Sequence, residues 1–266
     1  MIRKCAVRGT FYPAECDAIE AMITQWNAQL DTHLNDTSIW TQVPRAVIVP
    51  HAGYVYSGFT ANIAYRALHR SHAKRVIVIG PSHYVGIEGV SVIEAEAFET
   101  PCGMLRYDNA YARHLKAEFD LTYVALAHEK EHSTETQMPL IYHYLPHSSV
   151  VELIYGHEDY RNVAALCMSI LQDPQNVLVI STDLSHFYTQ NDAKALDNIC
   201  LEAILARDNS VIEQGCEACG MIGVKALLDT AKQRNYHVKL LDYRTSADAS
   251  GDLSRVVGYV SAAFFE

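Results

Sequence analysis

Two histidines follow two apolar segments of the chain in the same way. His51 follows the run 46–49 and His83 follows the run 76–79, and in both cases a proline lies between the run and the histidine. Runs rich in β-branched residues predict buried strands of a parallel sheet, and proline ends a strand because it has no amide proton to donate. Ligands bind just past the strand ends of an open α/β sheet. We therefore expect both imidazoles to face a binding site.

Other ionisable side chains also follow predicted strands. They are His132, Glu135, His157, Asp183 and His186. If these strands are parallel neighbours, their loops gather at one edge of the sheet. His132 and Glu135 then form either a general base with its orienting partner or an ordinary loop and helix start. His157 is expected at the rim, because no motif supports it.

A metal site is the chemistry that this set of side chains favours. Two neutral imidazoles and one anionic ligand suit Fe(II), Zn(II) or copper. The anion is Asp183, Glu135 or the thiolate of Cys219. A carboxylate would complete the facial triad of non-haem iron oxygenases, whereas a thiolate suits softer metals. Cys219 directly precedes a predicted helix, and a helix N-terminus lowers the pKa of a thiol.

The segments that carry these residues match a known family. Residues 49–58, 80–83, 131–139, 181–186 and 219–220 resemble five motifs of the Memo family and occur in the same order. Each motif is weak alone, but together they are highly specific. The resemblance implies a fold like that of the class III extradiol ring-cleavage dioxygenases.

The predicted fold is α/β, with a single domain over residues 1–266. Alternating strand and helix patterns predict a mostly parallel central sheet flanked by helices. The segments 237–243 and 256–264 predict an antiparallel strand pair at the C-terminus. No linker composition or internal repeat divides the chain.

The resemblance also implies which residues form the site. Two histidines and a cysteine hold the metal in this family, and they match His51, His83 and Cys219. Fe(II) is the first expectation for the metal, copper the second and zinc the third. The sequence departs from the family pattern at Tyr84, where a second histidine often follows Gly-Pro-Ser-His.

Five further residues are expected around the metal. Those with a predicted catalytic role are His132, Glu135 and His186, and those predicted to line the pocket are Tyr54 and Asp183. His186 matches a further pocket histidine of the family. Asp183 is alternatively the carboxylate that orients a ligand histidine, or a helix cap.

The predicted function is a metal-dependent redox or dioxygenase-like activity on a small organic substrate. The alternatives are a non-catalytic module that binds a peptide or protein, and a zinc hydrolase. Whether the protein is an enzyme stays open at this point. The resemblance implies a radical-SAM protein or an AMMECR1-like protein as partner.

Composition narrows the location and the partners. The 266 residues carry a net charge of −10, and the 21 basic residues form no cluster, which argues against nucleic acid and anionic membranes. No apolar run approaches the ~20 residues of a membrane span, and no signal sequence is visible. We therefore expect a cytoplasmic protein. The odd count of seven cysteines predicts reduced thiols.

Overall fold

The computed structural model of the chain describes residues 1–33 and 40–266. Helices and strands alternate along most of this part of the chain, as the α/β prediction requires. The strands are β1 (Ile2–Arg3), β2 (Ala46–Val49), β3 (Arg75–Pro81), β4 (Val90–Val92), β5 (Ala97–Thr100), β6 (Gly103–Arg106), β7 (Ser149–Tyr155), β8 (Asn176–Ser181), β9 (His186–Tyr188), β10 (His237–Thr245) and β11 (Val256–Phe265). The helices are α1 (Cys16–His33), α2 (Tyr54–Leu68), α3 (Asn109–Glu118), α4 (Ala125–Glu129), α5 (His132–Glu135), α6 (Met138–Tyr144), α7 (Tyr160–Gln172), α8 (Gln190–Ala206), α9 (Asn209–Ile212), α10 (Met221–Gln233) and α11 (Ala247–Ser250).

The central sheet is mixed, so the prediction of a mostly parallel sheet was too broad. The strands lie in the order β10–β11–β2–β8–β3–β7–β4, and β9 pairs with β11 outside this order. The four inner strands β2, β8, β3 and β7 run parallel. Strands β10, β11 and β4 pair antiparallel. The prediction failed where β11 pairs with β2 and where β4 pairs with β7, because an apolar run does not reveal the direction in which a strand enters the sheet. The expected C-terminal antiparallel pair is present as β10 and β11.

The inner strands form the centre of the hydrophobic core. Every residue of β2, β7 and β8 is buried, and most are valine, isoleucine or leucine. Helix α2 packs against β10 and β11, while α7 packs on α10, which contacts β3 and β8. Burial of one such side chain stabilises the fold by roughly 1.5–3 kcal/mol. The loops that follow these strands therefore start from a rigid support.

The carboxyl ends of the parallel strands bring the predicted loops together. His51 lies two residues beyond β2, His83 two residues beyond β3, and Asp183 two residues beyond β8. His132 begins α5, which contacts β3 and β7. The position of these residues at one edge of the sheet follows from the parallel order of the inner strands.

Four of the seven cysteines are paired, so the expectation of reduced thiols is wrong for them. Cys16 bonds to Cys102, and Cys200 bonds to Cys216. The Cα atoms of the pairs are 4.7 Å and 4.9 Å apart, within the range that a disulfide needs. A count of cysteines could not reveal this, because residues 86 positions apart in the sequence meet only in the fold. Among the residues described, no helix has both the length and the apolar character of a membrane span.

Candidate metal centre

Three histidines meet at the carboxyl edge of the sheet. His51, His83 and His132 each offer a ring nitrogen, and these nitrogen atoms lie within 4.8 Å of one another. The ring centroids are 5.1 Å apart for His51 and His83, 5.3 Å for His51 and His132, and 4.5 Å for His83 and His132. Such an arrangement lets three imidazoles share one ion.

Hydrogen bonds fix the tautomer of His51. Its Nδ1 lies 2.9 Å from Ser181 Oγ. The Ser181 hydroxyl donates its proton to the Ser133 carbonyl at 2.6 Å and accepts from Gln137 Nε2 at 3.0 Å. Because that proton is already used, Ser181 must accept from His51, so Nδ1 carries the proton. Nε2 therefore carries the lone pair through which His51 can bind a ligand.

A buried carboxylate orients His83. Glu131 accepts from the Nδ1 of His83 at 2.8 Å and from its backbone amide at 2.6 Å. The Ser133 amide donates to the same carboxylate at 2.9 Å. Burial alone would raise the pKa of Glu131, but these hydrogen bonds hold it at about 2. An ionised Glu131 keeps the proton of His83 on Nδ1 and leaves Nε2 as the free donor atom.

His132 has a buried nitrogen without a hydrogen-bond partner. Its Nδ1 makes no hydrogen bond, although Glu131 Oε1 lies 3.4 Å away. Buried polar atoms normally have partners, so an unpaired one calls for an explanation. The rings of Phe11 and Tyr84 flank His132, with centroids 4.6 Å and 5.6 Å away.

The surroundings keep two of the three imidazoles neutral. Burial, followed by the neighbouring His83, lowers the pKa of His51 to about 3. Burial, His51 and His83 lower the pKa of His132 to about 4. Neutral imidazole is the form that binds metals. The side chain of His51 is 2 % exposed, whereas that of His83 is 28 % exposed, so solvent reaches the cluster on the His83 side.

Cys219 lies against His51 but outside the three-histidine cluster. Its Sγ is 3.2 Å from His51 Nε2 and accepts a hydrogen bond from the Asp183 amide at 3.2 Å. In the part of the chain described, no group of three ligand atoms within 4.8 Å of one another includes this sulfur. Burial and the Asp183 carboxylate raise the pKa of the Cys219 thiol to about 12. The expected effect of the helix N-terminus is thus outweighed by desolvation.

The glycine after Cys219 lets the loop approach β8. A Cβ atom at Gly220 would lie 2.5 Å from the Cβ of Thr182. The Gly220 amide donates to Thr182 Oγ1 at 2.8 Å. The Cys-Gly motif therefore places the sulfur beside His51 through a close backbone contact that only glycine permits.

Asp183 and His186 lie next to this group. Asp183 accepts from the His51 amide at 2.8 Å, and its other oxygen is 4.0 Å from His51 Nε2. Burial raises the pKa of Asp183. His186 Nδ1 is 2.7 Å from the Leu184 carbonyl oxygen, so this nitrogen donates and Nε2 keeps its lone pair. Among the described residues, neither side chain belongs to a group of three ligand atoms.

Glu135 is held by the N-terminal segment. Its carboxylate forms an ion pair with Arg3 at 3.1 Å and accepts from the amides of Ala6 and Val7 and from the Tyr12 hydroxyl. These donors occupy the carboxylate and give it a structural role. The predicted catalytic role of Glu135 remains a prediction.

Tyr54 packs behind the site in the core. Its hydroxyl donates to the Thr136 carbonyl at 2.8 Å, and its ring lies 5.8 Å from that of Trp26. The residue is 3 % exposed. Its predicted position in the pocket lining remains a prediction. The rings that flank His132 belong to Phe11 and Tyr84.

The sequence analysis missed the two residues that orient the histidines. Glu131 and Ser181 hold His83 and His51 respectively. Both occur in the matched motifs: Glu131 directly precedes His132, and Ser181 lies two residues before Asp183. For Glu131, the available signal was its position directly before helix α5, which begins at His132. A polar side chain at a helix start can contact the neighbouring loop.

The donor set fits a metal ion. The cluster supplies three ring nitrogens, two of them from imidazoles kept neutral by burial, and one buried nitrogen has no partner within the protein. Imidazole suits iron, copper and zinc. Glu131 and Ser181 supply the outer hydrogen bonds that ligand histidines ordinarily have.

The fold and the cluster define an α/β protein with a three-histidine site at the carboxyl ends of parallel strands. The chain belongs to the Memo family, since the model of that family, described as "Memo-like protein", matches residues 3–263. A "MEMO1 family protein" of Caldivirga maquilingensis is 32% identical, with 99% of each chain covered. A "MEMO1 family protein" of Methanobrevibacter smithii is also 32% identical over 99% of this chain and 100% of the relative. Among solved structures, an uncharacterized protein, JW3007, from Escherichia coli K12 has a TM-score of 0.48 and 14% identity, over 81% of this chain and 98% of that one, a likeness too weak to define a shared fold.

Proposed function

We propose that His51, His83 and His132 bind one Fe(II) or copper ion and that the protein uses it to oxidise a small organic substrate with O₂. This proposal rests on one observation: a ring nitrogen from each of the three histidines lies within 4.8 Å of the other two. When bound, such an ion supplies one-electron and oxygen chemistry and leaves positions open for substrate. The dioxygenase-like fold that the resemblance implies supports the same reading.

The residues of the chain prepare the site for substrate. Glu131 and Ser181 hold two rings with Nε2 free, so no reorientation is needed on binding. Phe11 and Tyr84 flank the third ring, and Tyr84 is 55% exposed. These rings can stack on an aromatic substrate, which enters from the exposed side of the cluster.

Proton transfer belongs to the groups beside the cluster. Asp183 lies 4.0 Å from His51 Nε2, and burial raises its pKa. His186 keeps the lone pair of Nε2 available because Nδ1 donates to a carbonyl. We assign proton transfer with a bound substrate to Asp183 and His186.

Cys219 is the rival third ligand. Its sulfur is 3.2 Å from His51 Nε2, and the family resemblance assigns the metal to two histidines and a cysteine. We favour His132 because its nitrogen lies within 4.8 Å of both partner nitrogens, whereas no such group includes the sulfur among the residues described.

A zinc hydrolase is the second candidate function. Three histidines with a fourth, water-occupied position form a known catalytic zinc set. The same three ring nitrogens support it. Hydrolysis without O₂ consumption by the zinc-loaded protein would favour this candidate over oxidation.

The test compares oxygen consumption by metal-loaded variants. Protein purified without air is loaded with Fe(II), Cu(I) or Zn(II) and mixed with a panel of catechols, phenols and other small aromatic compounds. We expect substrate-dependent O₂ uptake with iron or copper, and its loss in His83→Ala. His157→Gln is the matched control, because the His157 side chain is 89 % exposed.

Two outcomes would overturn the proposal. If wild type takes up iron and copper but oxidises nothing, while binding a radical-SAM or AMMECR1-like partner, a non-catalytic binding module replaces it. If only the zinc form turns over, with esters or amides, the hydrolase replaces it.

A further inference from the structure

A second group of metal-type ligands lies away from the histidine cluster. Cys16, Glu20 and Cys102 offer two sulfurs and a carboxylate oxygen within 4.8 Å of one another. All three residues are only partly buried, so an ion can reach them from solvent. In the structure the two sulfurs form a disulfide, and the third donor lies beside that bond.

The elements hold these donors in place independently of the disulfide. Cys16 and Glu20 are four residues apart in α1, a helix of 18 residues, so both side chains lie on one face. Cys102 lies in the turn between β5 and β6, where Thr100 Oγ1 accepts from the Cys102 and Gly103 amides at 3.2 Å and 3.1 Å.

The turn between β5 and β6 also makes a close contact with helix α6. Gly103 has a φ of +147°, and an added Cβ would lie 2.6 Å from the hydroxyl of Tyr142. Another residue at this position would push the turn away from α6. The turn is therefore held against α6, and His143 of the same helix contacts Glu20 of α1.

A histidine orients the carboxylate of the group. His143 Nδ1 lies 2.9 Å from one oxygen of Glu20 and 2.8 Å from the other. Glu20 is 41 % exposed and His143 is 29 % exposed. Hydrogen bonds of this kind fix ligand carboxylates and are part of built metal sites.

We propose that Cys16, Cys102 and Glu20 form a redox-controlled zinc site. A dithiol reductant transfers two electrons and two protons to the disulfide, which opens to two thiols while the reductant becomes a disulfide. Zn²⁺ then binds both sulfurs as thiolates and releases the two protons to solvent. Glu20 is the third ligand and water the fourth, which gives the tetrahedral set that zinc prefers. This site does not depend on the function proposed for the histidine cluster.

The test counts zinc in the two redox forms of the full-length protein. Zinc is titrated without air into oxidised protein and into protein reduced with a phosphine that is then removed, and Co(II) spectra report thiolate ligation. We expect reduced wild type to bind one equivalent more than the oxidised protein. Cys102→Ser and Glu20→Gln lose that additional equivalent, and His143→Gln weakens it by roughly tenfold or more.

Two controls separate this site from the rest of the protein. The double variant Cys200→Ser with Cys216→Ser removes the other disulfide and keeps the additional equivalent. Asp17→Asn changes an exposed charge in the first turn of α1 and also keeps it. Zinc that binds to both the oxidised and the reduced protein is assigned to the histidine cluster. Its presence in a variant shows that the variant is folded.

The proposal fails if reduction adds no zinc to wild type, or if Cys102→Ser retains the additional equivalent. If the histidine cluster binds no metal, the result is different, because the equivalent of zinc that the oxidised protein binds is then missing.

Discussion

Glu131 determines which nitrogen of His83 faces the site. The carboxylate is fully buried and accepts from both Nδ1 and the backbone amide of His83. Burial opposes its charge, but the hydrogen bonds hold its pKa at about 2. The ring therefore has one orientation and one tautomer at neutral pH.

Replacement of Glu131 by glutamine tests this role. The amide removes the negative charge and keeps the size, so the ring of His83 loses its orientation and its basicity as a ligand. We expect metal affinity to fall by roughly 10- to 100-fold, measured by anaerobic titration with Fe(II). Glu129→Gln is the control, because Glu129 is exposed, and equal affinities in both variants would contradict the assignment.

At the residue scale, the sequence located the histidines better than their partners. His51 and His83 were predictable because both follow apolar runs that end at a proline. Glu131 was not, since its role depends on contact between two loops 48 residues apart. His128 lies outside the five motifs, yet it is 1 % exposed and its Nδ1 lies 2.9 Å from an oxygen of the buried Glu152.

The loop before α10 and the end of β8 fit together closely, and this contact positions Cys219. A Cβ at Gly220 would lie 2.5 Å from Thr182 Cβ. Gly220→Ala must therefore move the loop and the Cys219 sulfur away from His51. We expect a loss of about 1–3 kcal/mol in the free energy of unfolding, measured by urea denaturation.

Gly86→Ala is the control for this substitution. No atom lies within 4 Å of a Cβ at Gly86. The control should change the free energy of unfolding by less than about 0.5 kcal/mol. Equal effects of the two substitutions would show that the close contact at Gly220 is unimportant.

The N-terminal segment is fastened to α5 by a buried ion pair. Arg3 and Glu135 are 5 % and 0 % exposed, and their charged atoms are 3.1 Å apart. Arg3→Leu leaves the Glu135 carboxylate buried without its cation. We expect a destabilisation of about 3–5 kcal/mol, visible as a lower midpoint of urea unfolding.

Lys4→Met provides the comparison on the surface. Lys4 is 69 % exposed and lies 3.7 Å from Glu99, and such pairs contribute about 0–1 kcal/mol. If Arg3→Leu lowers the free energy of unfolding no more than Lys4→Met does, the buried Glu135 carboxylate does not need the Arg3 cation. Its hydrogen bonds with the backbone amides are then enough to stabilise it.

At the element scale, the sequence predicts the inner strands better than the short helices between them. The run 46–49 coincides with β2, because a buried parallel strand is apolar on both faces. The short helix α4 begins at Ala125. Two further helices, α5 and α6, follow it, with Pro139 in the first turn of α6. Short elements are decided by tertiary contacts rather than by local composition.

For the whole molecule, the parallel centre of the sheet and the antiparallel pair of β10 and β11 were predictable, whereas the antiparallel entry of β4 was not. The four inner strands carry the loops of the site, and the flanking strands β10, β11 and β4 pair antiparallel. The disulfide between Cys16 and Cys102 likewise depends on the folded chain, since it joins α1 to a distant turn. Local patterns set which segments are buried, but long-range packing sets direction and pairing.

Buried neutral histidines make the stability of the whole molecule depend on pH. The pKa values of His51 and His132 are about 3 and about 4 in the folded protein, against about 6.5 for an unfolded chain. As the pH falls below 6.5, the unfolded chain binds protons and the folded protein does not. Stability therefore decreases as the pH falls from about 6.5 until it reaches the folded-state pKa values of about 4 and about 3.

Urea unfolding of metal-free protein across this pH window measures the effect. We expect the free energy of unfolding to fall on acidification in wild type, with a smaller slope in His51→Gln. His157→Gln, which changes an exposed side chain, should retain the wild-type slope. Identical slopes in wild type and His51→Gln would show that His51 is not buried in its neutral form.

X-ray absorption spectroscopy of anaerobically Fe(II)-loaded protein is the most direct test of whether His51, His83 and His132 bind the metal. We predict one bound iron with three imidazole nitrogens from His51, His83 and His132. This coordination should be unchanged in Cys219→Ser and lost in His132→Ala. A sulfur at about 2.3 Å that disappears in Cys219→Ser would contradict it and establish the two-histidine and cysteine site instead. Failure of wild type to bind either iron or copper would contradict the metal centre itself.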